Sequence, residues 1–179
     1  MDGRGEKGFT LIELVLIIVV VGILAVVVGM GLNSLDTVRL NNAVGKVVAD
    51  LRYAQQLATT TQGRHGLTID SAQVYSVHRD TGGTDTDVKD PTNLGQDFAV
   101  DFDTYQQEQL KGVRFNSTTP FCTGPPGCTT CGSVIEFTSL GVPTDTAGTA
   151  LCSVSLVLTQ VGAPNQTISI TPNTGRIGN

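Results

Sequence analysis

The sequence has no tryptophan, only two histidines and, from Leu14 to Leu32, no charged or strongly polar side chain at all. Each shortage removes a class of function. The histidines, His65 and His78, have no serine or cysteine motif to pair with as an activated nucleophile, so the chain does not read as an enzyme and no catalytic residue is expected. As lone residues they read as surface or hairpin-packing histidines. No glycine motif of the phosphate-binding kind is present, and no cofactor is expected. Basic residues are in deficit, 11 Lys and Arg against 16 Asp and Glu, and the resulting net charge of −5 opposes phosphate binding. Charge of either sign is scarce at 15%, against 40% hydrophobic, and that balance excludes a disordered chain.

What is present is unevenly spread over the 179 residues. The nineteen residues from Leu14 to Leu32, as a helix rising about 1.5 Å per residue, span roughly the hydrocarbon core of a bilayer. They read as a membrane segment ahead of one soluble domain. A secretory signal peptide has a shorter apolar region and a small-x-small cleavage site, which only Gly29-Met30-Gly31 faintly resembles here. A plain signal anchor explains the length of the run but leaves Glu13 without a purpose. An acid inside an apolar helix costs about 2 to 3 kcal/mol unless something compensates it. A third route cuts the chain ahead of the apolar run.

The segment "GFTLIELVLIIVVVGILAVV", from Gly8, resembles the class III signal of type IV pilins and type II secretion pseudopilins: a short charged leader ending in Gly, then Phe-Thr-Leu-Ile-Glu and a long apolar helix. The resemblance implies a leader at residues 1–8, removed by a membrane prepilin peptidase between Gly8 and Phe9, followed by N-methylation of the Phe9 amine. It also implies that Glu13 and Phe9 act in assembly, the acid of an incoming subunit pairing with the N-terminal amine of its neighbour in a filament. The physics agrees with that assignment. Glu13 sits at the amino end of a helix, where the dipole favours a negative group by several tenths of a kcal/mol, and an acid in a low-dielectric medium still needs a cation. The partners implied are other pilins or pseudopilins, the prepilin peptidase, an inner-membrane assembly platform and the lipid bilayer.

Beyond residues 9–32 the helix is expected to continue through 33–62 in amphipathic form. Leu40, Val44, Val47, Leu51, Ala54 and Ala58 recur at spacings of four and three, one stripe that should pack on a sheet, with Gly63 as the stop. The whole spine would be about 80 Å long at helical rise. It lacks the proline kink found near this point in many major pilins. Residues 63–179 read as a β-rich domain. "GLTIDSAQVYSVHR" is a hairpin turning at Asp70-Ser71-Ala72, and "KGVRFNS", "SVIEFTS", "LCSVSLVLTQ" and "QTISITP" alternate as half-buried strands. The ends "DLRYAQQLATTTQ", "IEFTSLGVPT" and "ISITPNTGRI" resemble the GspH/FimT group of minor pilins and pseudopilins. The fold expected is α+β and type IV pilin-like, a long N-terminal helix packed on an antiparallel sheet. The implied location is the bacterial inner membrane, single-pass with the C-terminal domain in the periplasm, and then a periplasmic or extracellular filament. Within the group the resemblance favours an initiating or tip-proximal subunit; a major filament subunit is the other reading.

Three further features bear on chemistry. Cys122, Cys128 and Cys131 lie in a Pro/Gly loop, 122–131, and Cys152 in a later strand; on an exported domain four cysteines read first as two disulfides, with all three pairings open. A redox pair at Cys128 and Cys131 and a four-thiolate zinc site are the alternatives. The stretch 80–103 holds seven aspartates and reads as a solvated acidic loop, or as a calcium site on Asp85, Asp87 and Asp90, although no known ligand pattern is present and no metal is expected. Finally, some FimT-like pilins are implicated in DNA uptake through an Arg-bearing tail. The "TGRIGN" end keeps Arg176 as a nucleic-acid candidate, but Gly178 stands where a second arginine would, and nucleic acid is not the expected partner.

Overall fold

A computed structural model describes residues 9–82, 84–104, 109–118, 121–123 and 132–179, with the backbone alone for 26–34 and 121–123. The chain divides into two compact units, one ending at Leu35 and one running from Asp36 to Asn179. Helix α1, Leu11–Thr61, supplies residues to both. Its described side chains in the first unit are apolar, apart from Glu13, and exposed.

In the second unit the stripe is buried throughout: Leu40, Val44, Val47, Leu51, Ala54 and Ala58 are at most 2% exposed, and Ala43 and Val48 widen it. Helical periodicity accounts for this, because positions three and four apart share a face. The helix does not stop on Gly63. Its last turn is closed by Thr59 and Thr60, whose hydroxyls donate to the Gln56 carbonyl, and by Thr61, which donates to Leu57. Gln62 then takes the left-handed conformation, with φ of 53°. These carbonyls lie inside the last turn, so the hydroxyls reinforce that turn, and Gln62 rather than Gly63 supplies the left-handed residue that ends the helix.

Thirteen short strands follow among the described residues: β1 Arg64–Ile69, β2 Val74–Asp80, β3 Asp85–Asp87, β4 Lys89–Asp90, β5 Asn93–Asp97, β6 Ala99–Asp101, β7 Arg114–Phe115, β8 Phe121–Thr123, β9 Val134–Phe137, β10 Pro143–Thr144, β11 Ser153–Thr159, β12 Gln166–Ile170 and β13 Ile177–Gly178. Every pairing among them is antiparallel. The first sheet runs β10-β9-β1-β2-β3, with β6 taking the other end of β2. The second runs β13-β12-β11-β7, with β8 on β11; β4 and β5 form a separate hairpin.

The α1 stripe joins one hydrophobic core with Leu67, Ile69, Tyr75 and Val77 of the first sheet and Val154, Leu156, Leu158, Ile168 and Ile170 of the second. Tyr75, Phe102 and Phe115 meet with ring centroids 5.3 to 6.0 Å apart. Two polar ties bind the helix as well. The Gln55 amide donates to the carbonyls of Gly141 and Gly175, and Asp50, 5% exposed, accepts from Lys46 at 2.6 Å and from the Tyr75 hydroxyl at 2.6 Å. Burial pushes the Asp50 carboxyl up from its ordinary range, opposed by those two donors.

The acid-rich stretch 80–103, expected as a solvated loop, contains β3 to β6 and contributes Phe98, Val100 and Phe102 to the core, each at most 3% exposed. Alternation over 98–102 is the strand signal there. Asp85, Asp87, Asp97 and Asp103 are exposed, Asp101 is half-buried and Asp80 and Asp90 are buried, and together they dominate the composition.

Candidate functional site

The amino end of α1 is built around Thr10. The Glu13 amide donates to the Thr10 carbonyl at 3.1 Å and lies 3.4 Å from the Thr10 hydroxyl, and the Leu14 amide donates to the same carbonyl at 3.2 Å. Thr10 is therefore the N-cap and Glu13 the third helical residue, the spacing of a capping box. The Thr-x-x-Glu pattern is legible in the sequence, and the reading of Glu13 as an assembly acid alone passed over it. Glu13 is exposed in the first turn, at the positive end of the helix dipole. Phe9, Leu11 and Ile12 precede it, exposed at 77%, 82% and 71%.

Phe9, Leu14, Ile17 and Ile18 line a wholly apolar groove along this end of the helix. Exposed apolar surface continues through Leu24, a patch far beyond what a soluble monomer ordinarily shows to water. Among the described residues no helix is long and apolar enough to cross a membrane; the described side chains of the apolar run end at Ala25. Gly8 lies outside the described residues.

Residues 3–29 match the model of the prokaryotic N-terminal methylation motif. The fold is similar to that of the minor pseudopilin EpsH from the type 2 secretion system of Vibrio cholerae, at a TM-score of 0.51 and 11% identity, over 78% of this chain and 94% of EpsH. The chain has a type IV pilin-like N-terminus and fold. The type IV minor pilin FimU of Pseudomonas aeruginosa is also matched, over 78% of this chain, with a TM-score of 0.44 in each of two crystal forms, 14% and 15% identity, and 86% and 90% of its own length covered. No curated protein matches the sequence.

The other sequence candidates of this pilin-like chain are dispersed. Cys152 is nearly buried ahead of β11 and is disulfide-bonded. Cys128, Cys131 and the side chain of Cys122 lie outside the described residues, so the pairing stays open. Arg176 is exposed in the turn between Gly175 and β13, with its amide 3.4 Å from the Thr174 hydroxyl. The two histidines are buried rather than superficial, His65 at 3% and His78 at 2% exposed, on opposite faces of the β1–β2 hairpin. Asp85 and Asp87 lie on β3, whereas Asp90 is buried and its carboxylate accepts from the amide and hydroxyl of Thr92. Among the described residues the group able to hold an ion is instead His78, Asp85 and Glu136. The sequence candidates included Asp85 but not Glu136.

Proposed function

We propose that this chain is a minor pilin or pseudopilin, a filament subunit of a type IV pilus or a type II secretion pseudopilus. The observation that carries the proposal is the exposed Phe9–Glu13 end: a carboxylate in the first turn of a helix whose large apolar side chains from Leu11 to Leu24 are exposed. Lipid covers such a surface before assembly and neighbouring apolar helices cover it afterwards. In both settings water is scarce, and the Glu13 carboxylate is satisfied by a cation. Cleavage at the Gly8-Phe9 bond creates that cation, because the freed Phe9 amine keeps its charge after methylation. Pairing Glu13 with a neighbour's Phe9 amine then fixes the axial register of the filament. The subunit is held in the bacterial inner membrane with its second unit in the periplasm, is processed by prepilin peptidase, and enters the filament through the assembly platform. Its place is at or near the tip, as an initiating subunit.

Intact-mass measurement of membrane-extracted protein tests the proposal at its first step. The expected mass is that of the chain lacking Met1 to Gly8 and carrying one methyl group. Retention of the leader in cells with a working filament system would overturn it.

A further inference from the structure

Strand register places Glu136 of β9, Gly66 of β1 and His78 of β2 in one cross-strand row. Paired residues share a face, here the one opposite Leu67, Val77 and Ile135. Gly66 has no side chain, so His78 and Glu136 meet above it, with His78 Nε2 3.5 Å from Glu136 Oε1. A Cβ at position 66 would stand 2.9 Å from Glu136 Cγ. Asp85, at the edge strand β3, closes the group with Oδ1 3.8 Å from the same Nε2. The three ligand atoms all lie within 4.8 Å of one another.

The buried polar atoms of this group are under-satisfied. Glu136 is 0% exposed and His78 2%, and neither Glu136 oxygen nor His78 Nε2 has a hydrogen-bond partner. Buried polar atoms are rarely left so, because each forfeits its hydration. His78 Nδ1 lies 3.0 Å from the Thr68 hydroxyl. With Nδ1–H donating to that oxygen, Nε2 turns its lone pair toward two carboxylates. Nearby Arg64 binds Asp80 and reaches Glu136 Oε2 with its Nε at 3.6 Å. One guanidinium against Asp80, Asp85 and Glu136 leaves two negative charges, and the one on the fully buried Glu136 is expensive there.

We propose that His78, Asp85 and Glu136 bind one divalent transition-metal cation of the zinc type. Two positive charges close the deficit, and one imidazole with two carboxylates is a donor set that zinc accepts; calcium and magnesium prefer oxygen alone. Zinc bonds of about 2.0 to 2.1 Å at tetrahedral angles place neighbouring ligand atoms about 3.4 Å apart. The His78–Glu136 separation has that value within a tenth of an ångström. Asp85, 3.8 Å from His78 Nε2 and up to 4.8 Å from the Glu136 oxygen, needs to move inward by roughly an ångström to reach tetrahedral spacing, and its side chain, 48% exposed, has room to do so and leaves the ion a way in. Thr68 is the outer partner that orients the ring. The ion would tie β2, β3 and β9 together, and this role is independent of filament assembly.

The test uses the full chain in detergent, stripped with a chelator and dialysed against Zn2+, with bound metal counted by mass spectrometry. The expected result is about one Zn2+ per chain, with affinity falling by roughly tenfold or more in His78→Gln and in Asp85→Asn, and unchanged in His65→Gln. Asp85→Asn alters a half-exposed position, so it decides the matter should His78→Gln fail to fold. Zn2+ should also raise the thermal midpoint of the wild type and of His65→Gln but not of Asp85→Asn. No bound Zn2+ in the wild type, or equal binding in the wild type and Asp85→Asn, would overturn the proposal.

Discussion

Replacing Tyr75 by Phe removes one hydroxyl from the buried contact between helix and sheet and leaves the ring packed between Phe102 and Phe115. That hydroxyl donates to Asp50 Oδ2 at 2.6 Å, and the Asp50 side chain is only 7% exposed. A hydrogen bond to a buried charged acceptor contributes about 1.5 to 3 kcal/mol net. For a domain of this size the loss lowers the thermal midpoint by about 3 to 12 °C. The Lys46 ammonium, at 2.6 and 2.7 Å from the two Asp50 oxygens and over the Phe98 ring, stays in place and keeps the variant folded. The same carboxyl sets a pH dependence whose sign can be worked out. Burial raises it above the ordinary 3.8, against Lys46 and Tyr75. The folded chain then holds this proton more tightly than the unfolded one. The stability difference between wild type and Asp50→Asn is accordingly greatest below 3.8 and falls as the pH rises through the folded value. Urea unfolding followed by circular dichroism, on a chain beginning near Asn33 and between about pH 3 and pH 7, measures both effects. Tyr75→Phe within about 0.5 kcal/mol of wild type would refute the first. A wild-type minus Asp50→Asn difference that rises with pH would refute the second.

Two other outcomes follow from the helix. Glu13→Leu should insert and be processed normally, since the cost of burying a carboxylate is gone, yet be missing from sheared filaments or from cross-links to other pilins; Glu13→Gln should fall between, because an amide hydrogen-bonds without neutralising an ammonium. Wild-type incorporation of Glu13→Leu would show that the carboxylate does not set register. A chain beginning near Asn33 should be soluble and folded, whereas one beginning at Gly63 should aggregate, because it exposes the sheet surface that Leu40 to Ala58 cover; equal solubility of the two on size-exclusion chromatography would exclude the stripe from the core.

Local pattern carried much of this protein. The length of α1, the stripe from Leu40 to Ala58 and the β1–β2 hairpin were legible because each depends on spacings within one element, and the period of the apolar residues reports which face is covered. The Phe-Thr-Leu-Ile-Glu end was legible for the same reason, although the Thr10 cap ahead of Glu13 emerged only from the structure. Composition misled where it outweighed period: seven aspartates hid the alternation of Phe98, Val100 and Phe102. At the end of the helix, Gln62 and not Gly63 takes the left-handed conformation. Asp50 and Glu136 look like ordinary surface acids in the sequence. Only the tertiary structure buries them, setting Tyr75 against one and His78 against the other. The row Glu136–Gly66–His78 depends on the register of three strands distant in sequence. A shift of one residue in any of them would turn its side chain to the other face, so the group exists only in the assembled sheet.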